Sequence, residues 1–175
     1  GPADVNTDIT QNMELGPEKT GAGRVIEVEA SFGIDTSQQG GNALTITSTD
    51  DLYFRGPDDG SSIIGAEHGI FASNEIAAEI EIFSLGEVVG LGGNGIRAVT
   101  QSDDSSGNFE AFDIIVSDVS GLWSAIYARS FAAFSFEITS DGTLTSTNEH
   151  GIDAQLGNLE TAGKHNDSLM KIVVN

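Results

Sequence analysis

The sequence predicts an all-β chain wound as a right-handed parallel β-helix, a solenoid of about five turns with three short strands per turn. Three observations carry this expectation. First, one phrase recurs: His68-Gly69-Ile70-Phe71-Ala72, Asn94-Gly95-Ile96-Arg97-Ala98, Ala125-Ile126-Tyr127-Ala128 and Gly151-Ile152-Asp153-Ala154, with Gly33-Ile34-Asp35-Thr36 as a looser copy. Such self-similarity marks repeat architectures, because one repeat cannot bury its apolar face alone and stacked neighbours can. Second, apolar and polar residues alternate from Gly23 onward, the pattern of strands with one buried face, and no stretch of helical period competes. Third, the 22 glycines fall between these runs, where turns call for positive φ.

The repeats align into three strand positions. The first centres on Ile34, Ile70, Ile96, Ile126 and Ile152, followed two residues later by Thr36, Ala72, Ala98, Ala128 and Ala154. The second ends on Ile46, Ile82, Val116, Ile138 and Val174, preceded by Leu44, Ile80, Ile114, Phe136 and Ile172. The third holds Ile26, Leu52, Val88, Leu122 and Leu144. One interval separates Ile34 from Ile46, Ile70 from Ile82 and Ile126 from Ile138, so length changes are confined to corners. Stacked turns, at roughly 4.8 Å per turn, would set like side chains over one another. Parallel crossovers are overwhelmingly right-handed, which sets the expected hand.

The repeat region spans residues 23–175. Residues 1–22 are polar and rich in Pro, Gly, Asn and Thr, and read as a flexible lead-in or cap. The opening Gly-Pro-Ala without Met resembles a protease scar, and the strand-like Lys171-Ile172-Val173-Val174-Asn175 ends the sequence, so a fragment of a longer chain is expected. Lys and Arg number 7 against 27 Asp and Glu, for a net charge of −20. That excludes a nucleic-acid surface and disfavours docking on anionic lipid. There is no cysteine, hence no disulfide framework and no thiolate chemistry. No run is long and apolar enough for a membrane span.

The phrases His-Gly-Ile-x-Ala, Ile80-Glu81-Ile82 followed by Gly86, and Asp141-Gly142-Thr143-Leu144, recurring about once per turn, resemble the passenger domains of bacterial autotransporters. Adhesins of two-partner secretion share the style. The resemblance covers residues 23–175. It implies a right-handed β-helix displayed outside a Gram-negative cell, acting as an adhesin or self-associating stalk. The partners it implies are a host surface protein or glycan, or a sister molecule.

In a solenoid, insertions at corners are the usual binding elements. Three are visible. Loop one, 54–62, carries Arg55, Asp58 and Asp59. Loop two, 101–111, carries Asp103, Asp104, Ser105, Ser106, Asn108 and Glu110. Loop three, 156–167, carries Asn158, Glu160, Lys164, His165 and Asp167. Loops two and three are expected to leave one corner two turns apart, roughly 10 Å from each other. The loop carboxylates are hard donors of the kind calcium prefers, but no EF-hand spacing occurs, so no metal or other cofactor is assigned.

The alternative function is a carbohydrate-active enzyme, a polysaccharide lyase or glycoside hydrolase, since paired carboxylates perform that chemistry. Asp50-Asp51, Asp58-Asp59 and Asp103-Asp104 are adjacent, and neighbours on a strand face opposite ways, which is a poor pair geometry. No catalytic residue is assigned. His68 and His150 occupy the turn position held by Phe32, Asn94 and Ser124 in other repeats, and read as corner residues. The aromatics Trp123, Tyr127, Phe131, Phe134 and Phe136 cluster in one turn. They are expected to stack along the core, with a sugar- or protein-binding platform as the alternative if Trp123, Tyr127 and Phe131 point outward.

Overall fold

The computed structural model describes residues 18–19, 23–24, 26–48, 51–74, 79–100, 111–130, 135–156 and 169–175. Every regular element among them is a strand. In chain order these are β1 (Glu18–Lys19), β2 (Gly23–Arg24), β3 (Ile26–Glu29), β4 (Ile34–Asp35), β5 (Leu44–Ser48) and β6 (Leu52–Arg55). Then follow β7 (Ile63–Gly65), β8 (Ile70–Asn74), β9 (Ile80–Ser84), β10 (Val88–Gly90), β11 (Ile96–Thr100) and β12 (Ala111–Val116). The last six are β13 (Val119–Gly121), β14 (Ile126–Ser130), β15 (Ser135–Ser140), β16 (Leu144–Ser146), β17 (Ile152–Leu156) and β18 (Leu169–Val174).

Strands β1 and β2 pair antiparallel, Glu18 opposite Arg24. From β3 on, each strand pairs in parallel with the strand three places further along the chain. The result is three sheets: sheet I of β4, β7, β10, β13 and β16; sheet II of β5, β8, β11, β14 and β17; and sheet III of β3, β6, β9, β12, β15 and β18. The chain is an all-β parallel solenoid with three strands per turn. Its cause is visible in single strands: Ile80-Glu81-Ile82-Phe83-Ser84 and Ile96-Arg97-Ala98-Val99-Thr100 alternate buried and half-buried residues, and the buried set points into the coil.

The inward columns are continuous. In sheet II, Leu44, Ile70, Ile96, Ile126 and Ile152 lie in register, and the first four are fully buried. In sheet III, Phe54, Ile82, Ile114, Ile138 and Ile172 form one column, and Leu52, Ile80, Phe112, Phe136 and Met170 another. The rings of Phe112 and Phe136 stack with centroids 4.7 Å apart and planes 9° from parallel, close to the spacing of the strands that carry them. In sheet I the column is Ile34, Ile63, Val88, Val119 and Leu144.

The register departs from the sequence expectation in specific places. Ile34 belongs to sheet I, and Leu44 takes the position expected for it under Ile70. The reason is the long corner between β4 and β5, where Gly40 and Gly41 adopt φ of 91° and 75° and let extra residues turn outside the coil. Ile46, expected with Ile82, instead pairs with Ala72 in sheet II. Leu52 and Ile26 lie in sheet III, and Ile63, beyond loop one, fills the sheet I place. Val116 and Val174 sit two residues past Ile82 and Ile138, an even slip that leaves their strands facing the same way. At the next corner Val119, not Leu122, is the sheet I member.

Candidate functional site

The corner joining sheet I to sheet II is tightly built. Each sheet I strand from β7 to β13 ends in glycine, and Gly65, Gly90 and Gly121 are register partners on successive turns. A Cβ there would collide with the carbonyl oxygens of His68, Asn94 and Ser124 respectively, so the chain doubles back within one residue's reach. On the following residues a side-chain ladder runs along the coil. The His68 N–H donates to Asn42 Oδ1 at 3.1 Å, the Asn94 N–H to His68 Nδ1 at 2.8 Å, and the Ser124 N–H to Asn94 Oδ1 at 3.0 Å. The ladder continues as Ser124 Oγ donates to Glu149 Oε2 at 3.4 Å. Nδ1 can accept only when unprotonated, so His68 is the neutral Nε2–H tautomer. Burial, then the neighbouring Arg97 charge, hold its pKa below the usual imidazole value, against an opposing pull from Glu67. His68 is therefore a corner residue, as its position in the repeat implied, with Asn42 rather than Phe32 as its counterpart one turn earlier.

Beside this ladder opens a polar groove of about 380 Å³. Glu67, His68, Asn94 and Glu149 line it from the corner, and Arg97, Trp123 and Tyr127 complete it. Gly93 also lines it; a Cβ there would lie 2.5 Å from His68 Nδ1, so glycine makes room for the imidazole. Arg97 and Tyr127 occupy the outward positions between the buried Ile and Ala columns of sheet II, above Phe71 and below Asp153. The Arg97 guanidinium lies 4.4 Å from the Tyr127 ring centroid and 6.0 Å from that of Phe71. Arg129 takes Tyr127 as well, at 4.5 Å from its centroid, and bridges to Asp153 at 3.0 Å. Trp123 is 46 % exposed.

The aromatic cluster thus divides. Phe136 is in the core, as expected, but Trp123 and Tyr127 face out, which overturns the core reading for those two. Phe131 and Phe134 lie outside the described residues. Strand alternation carries the reason: Ile126 and Ala128 are buried, so Tyr127 between them must project outward. Trp123 lies in the short corner after Gly121, where Ser124 and Ala125 take the buried places and the indole stays nearly half exposed.

Of the predicted loop residues, Arg55, Asp58 and Asp59 are described, and each finds a partner within the loop. Arg55 bonds Asp58 at 3.2 Å, with both side chains largely exposed, and lies 5.0 Å from the Phe83 ring centroid. Asp59 Oδ1 accepts the Ser61 N–H at 2.9 Å, and its hydrogen bonds to Ser61 hold its pKa below the usual carboxylate range. These contacts shape loop one, at the corner between sheets III and I. Asp103, Asp104, Ser105, Ser106, Asn108, Glu110, Asn158, Glu160, Lys164, His165 and Asp167 lie outside the described residues. Both of their loops connect a sheet II strand to the next sheet III strand, two turns apart, as expected. Asp51 is fully buried and its Oδ1 accepts the Glu79 N–H at 3.1 Å, a link between turns. Among the described residues no group of three or more His, Cys, Asp or Glu is placed to share a metal ion.

The outer face of sheet III carries a second charged feature. Glu81, Asp113 and Glu137 are register partners on successive turns. Burial first, then the charges of Glu137, Glu81 and Glu79, push the Asp113 carboxyl above its usual range. Lys171 relieves one end by pairing with Glu137 at 2.9 Å. This ladder is on a different sheet from the groove.

The fold and the groove define the class: a parallel β-solenoid with a polar, aromatic-edged recess on one corner. No protein-family model, no curated protein and no solved structure matches the chain. Glu67, Glu149, Arg97 and Trp123 are the groove residues that sequence reasoning did not bring together. Glu67, Gly93, Trp123 and Glu149 stand three residues before the aligned Ile70, Ile96, Ile126 and Ile152, and that shared corner position is the signal the sequence carried for them.

Proposed function

We propose that the chain is a recognition module, a stretch of a surface-displayed bacterial adhesin of the autotransporter or two-partner-secretion style. Its rigid coil would present the corner groove, and the segments between sheets II and III, to a host surface protein or glycan or to a sister molecule outside the cell. The observation that carries this reading is the exposed Trp123, which lines one groove with Arg97 on a stack of hydrogen-bonded turns. An indole left nearly half in water on a short, glycine-bounded corner contributes little to the core and is suited to a partner. The groove does not include Asp113, the carboxyl with a raised pKa, so the acid–base arrangement of the enzyme alternative gains no support from it.

The test is binding of the soluble chain to a glycan and protein array and to host cells, with Trp123→Ala and a deletion of residues 102–110 alongside. Loss of binding in Trp123→Ala, with an unchanged urea midpoint, supports the groove. Loss on deletion, again at unchanged stability, supports the loop expectation. Full binding by both variants refutes the reading.

A further inference from the structure

We propose that the groove at the corner of sheets I and II binds a neutral sugar ring, with Trp123 as the stacking platform, Arg97 as donor to hydroxyl oxygens, and Glu67 and Glu149 as acceptors of hydroxyl hydrogens. This rests on the recognition reading above and names its ligand class.

Trp123 lines the groove, is nearly half exposed, and makes no ring or cation contact among the described residues. Tyr127 does: the Arg97 and Arg129 guanidinium carbons lie 4.4 Å and 4.5 Å from its centroid. Arg97 has no hydrogen bond or ion pair among the described residues. Its guanidinium carbon lies over the rings of Tyr127 and Phe71, which are not hydrogen-bond acceptors for its N–H groups here, so those donors stay available to a ligand. Aromatic packing fixes the donor fork before any ligand arrives, which reduces the ordering cost of binding.

Charge decides among ligands that could use these groups. Two carboxylates and one guanidinium line the groove, His68 is neutral, and the whole chain carries −20. An anionic ligand would meet net repulsion, and a cationic one would meet the Arg97 charge in the lining. A sugar ring needs neither charge. Its C–H face stacks on an indole, and its hydroxyls both donate and accept, matching a site that offers both. The volume, about 380 Å³, lies within the range of small-ligand sites.

Trp123 is the single tryptophan of the chain, so indole emission reports the groove alone. The intact chain is titrated with methyl glycosides of glucose, galactose, mannose and N-acetylglucosamine, then with sodium galacturonate and a lysine tripeptide. A saturable emission change is expected with a neutral glycoside, with a midpoint of about 1 mM for a single ring. Arg97→Ala is expected to weaken it at least tenfold at unchanged urea midpoint, and Glu149→Gln to weaken it less. Silence from every neutral glycoside, tighter binding of galacturonate or of the tripeptide, or an Arg97→Ala titration matching wild type each overturns the proposal. The recognition reading fails separately: if Trp123→Ala abolishes array binding while the glycosides are silent, the sugar assignment falls and the groove stands. If Trp123→Ala binds the array as wild type does, the groove itself falls.

Discussion

His68 offers a two-variant test of the corner ladder. In His68→Leu the Asn94 N–H loses its acceptor, and Asn94 is only 5 % exposed, so water replaces the bond poorly. An orphaned buried donor costs about 1–3 kcal/mol. The imidazole borders an open groove, so the expected loss is near the lower end, about 1 kcal/mol, or roughly 2–4 °C in Tm for a chain of this size. In His68→Asn the acceptor is kept, since asparagine already serves at positions 42 and 94, and little loss is expected at pH 7.5. The two differ again in pH dependence. The folded pKa of His68 is lowered, so the folded state binds this proton more weakly than the unfolded chain. Its contribution is present in full above the unfolded value of about 6.5 and is lost as pH falls toward the folded one, at no more than about 1.4 kcal/mol per pH unit. Urea titrations of wild type and His68→Asn at pH 7.5 and 5.5 isolate this term, because other histidines cancel in the difference. The wild type is expected to lose stability relative to His68→Asn between the two. Equal loss in both proteins, or a His68→Leu midpoint at pH 7.5 matching wild type, would refute the ladder.

Other outcomes follow from the same structure. Ile96→Ala empties a fully buried position between Ile70 and Ile126 and is expected to cost about 2–5 kcal/mol by urea denaturation. Asp113→Asn removes the middle charge of the Glu81–Asp113–Glu137 ladder and is expected to stabilise by about 0.2–1 kcal/mol at pH 7. That gain should shrink in high salt, and also as pH falls through the raised Asp113 pKa and protonation relieves the wild type. Strand β18 leaves Met170, Ile172 and Val174 partly exposed at 37 %, 44 % and 53 %. Weak dimers that strengthen with salt are expected in sedimentation, since screening lowers the repulsion of two −20 chains; a strict monomer at both salt concentrations would count against this.

The repeat phrase made the coil legible because Ile70, Ile96, Ile126 and Ile152 recur in one sequence context and do stack. Where the context changed, the alignment slipped. Ile34 sits in a Gly-Ile-Asp-Thr phrase resembling the others, yet the glycine-turned corner after it moves it to another sheet. Ile63 was hidden behind loop one, whose length cannot be inferred from periodicity. Outward residues carry no column signal, since Phe71, Arg97, Tyr127 and Asp153 share a line but not a chemistry. The groove is a product of that line and the adjoining corner, so it emerged only with coordinates. The sequence-level expectation for Trp123 treated a clustered aromatic as core, and the shortness of its corner decided otherwise.

The fold consists of parallel turns in register, and the absence of cysteine allows a direct measurement of them. Glu27, Tyr53, Glu81, Asp113, Glu137 and Lys171 are successive partners on sheet III. Spin labels are placed at Lys171→Cys paired in turn with Glu81→Cys, Tyr53→Cys and Glu27→Cys. Backbone separations of roughly 14, 19 and 24 Å are expected, rising by one strand spacing per turn. Distances that fail to rise in that order would contradict the stacked coil.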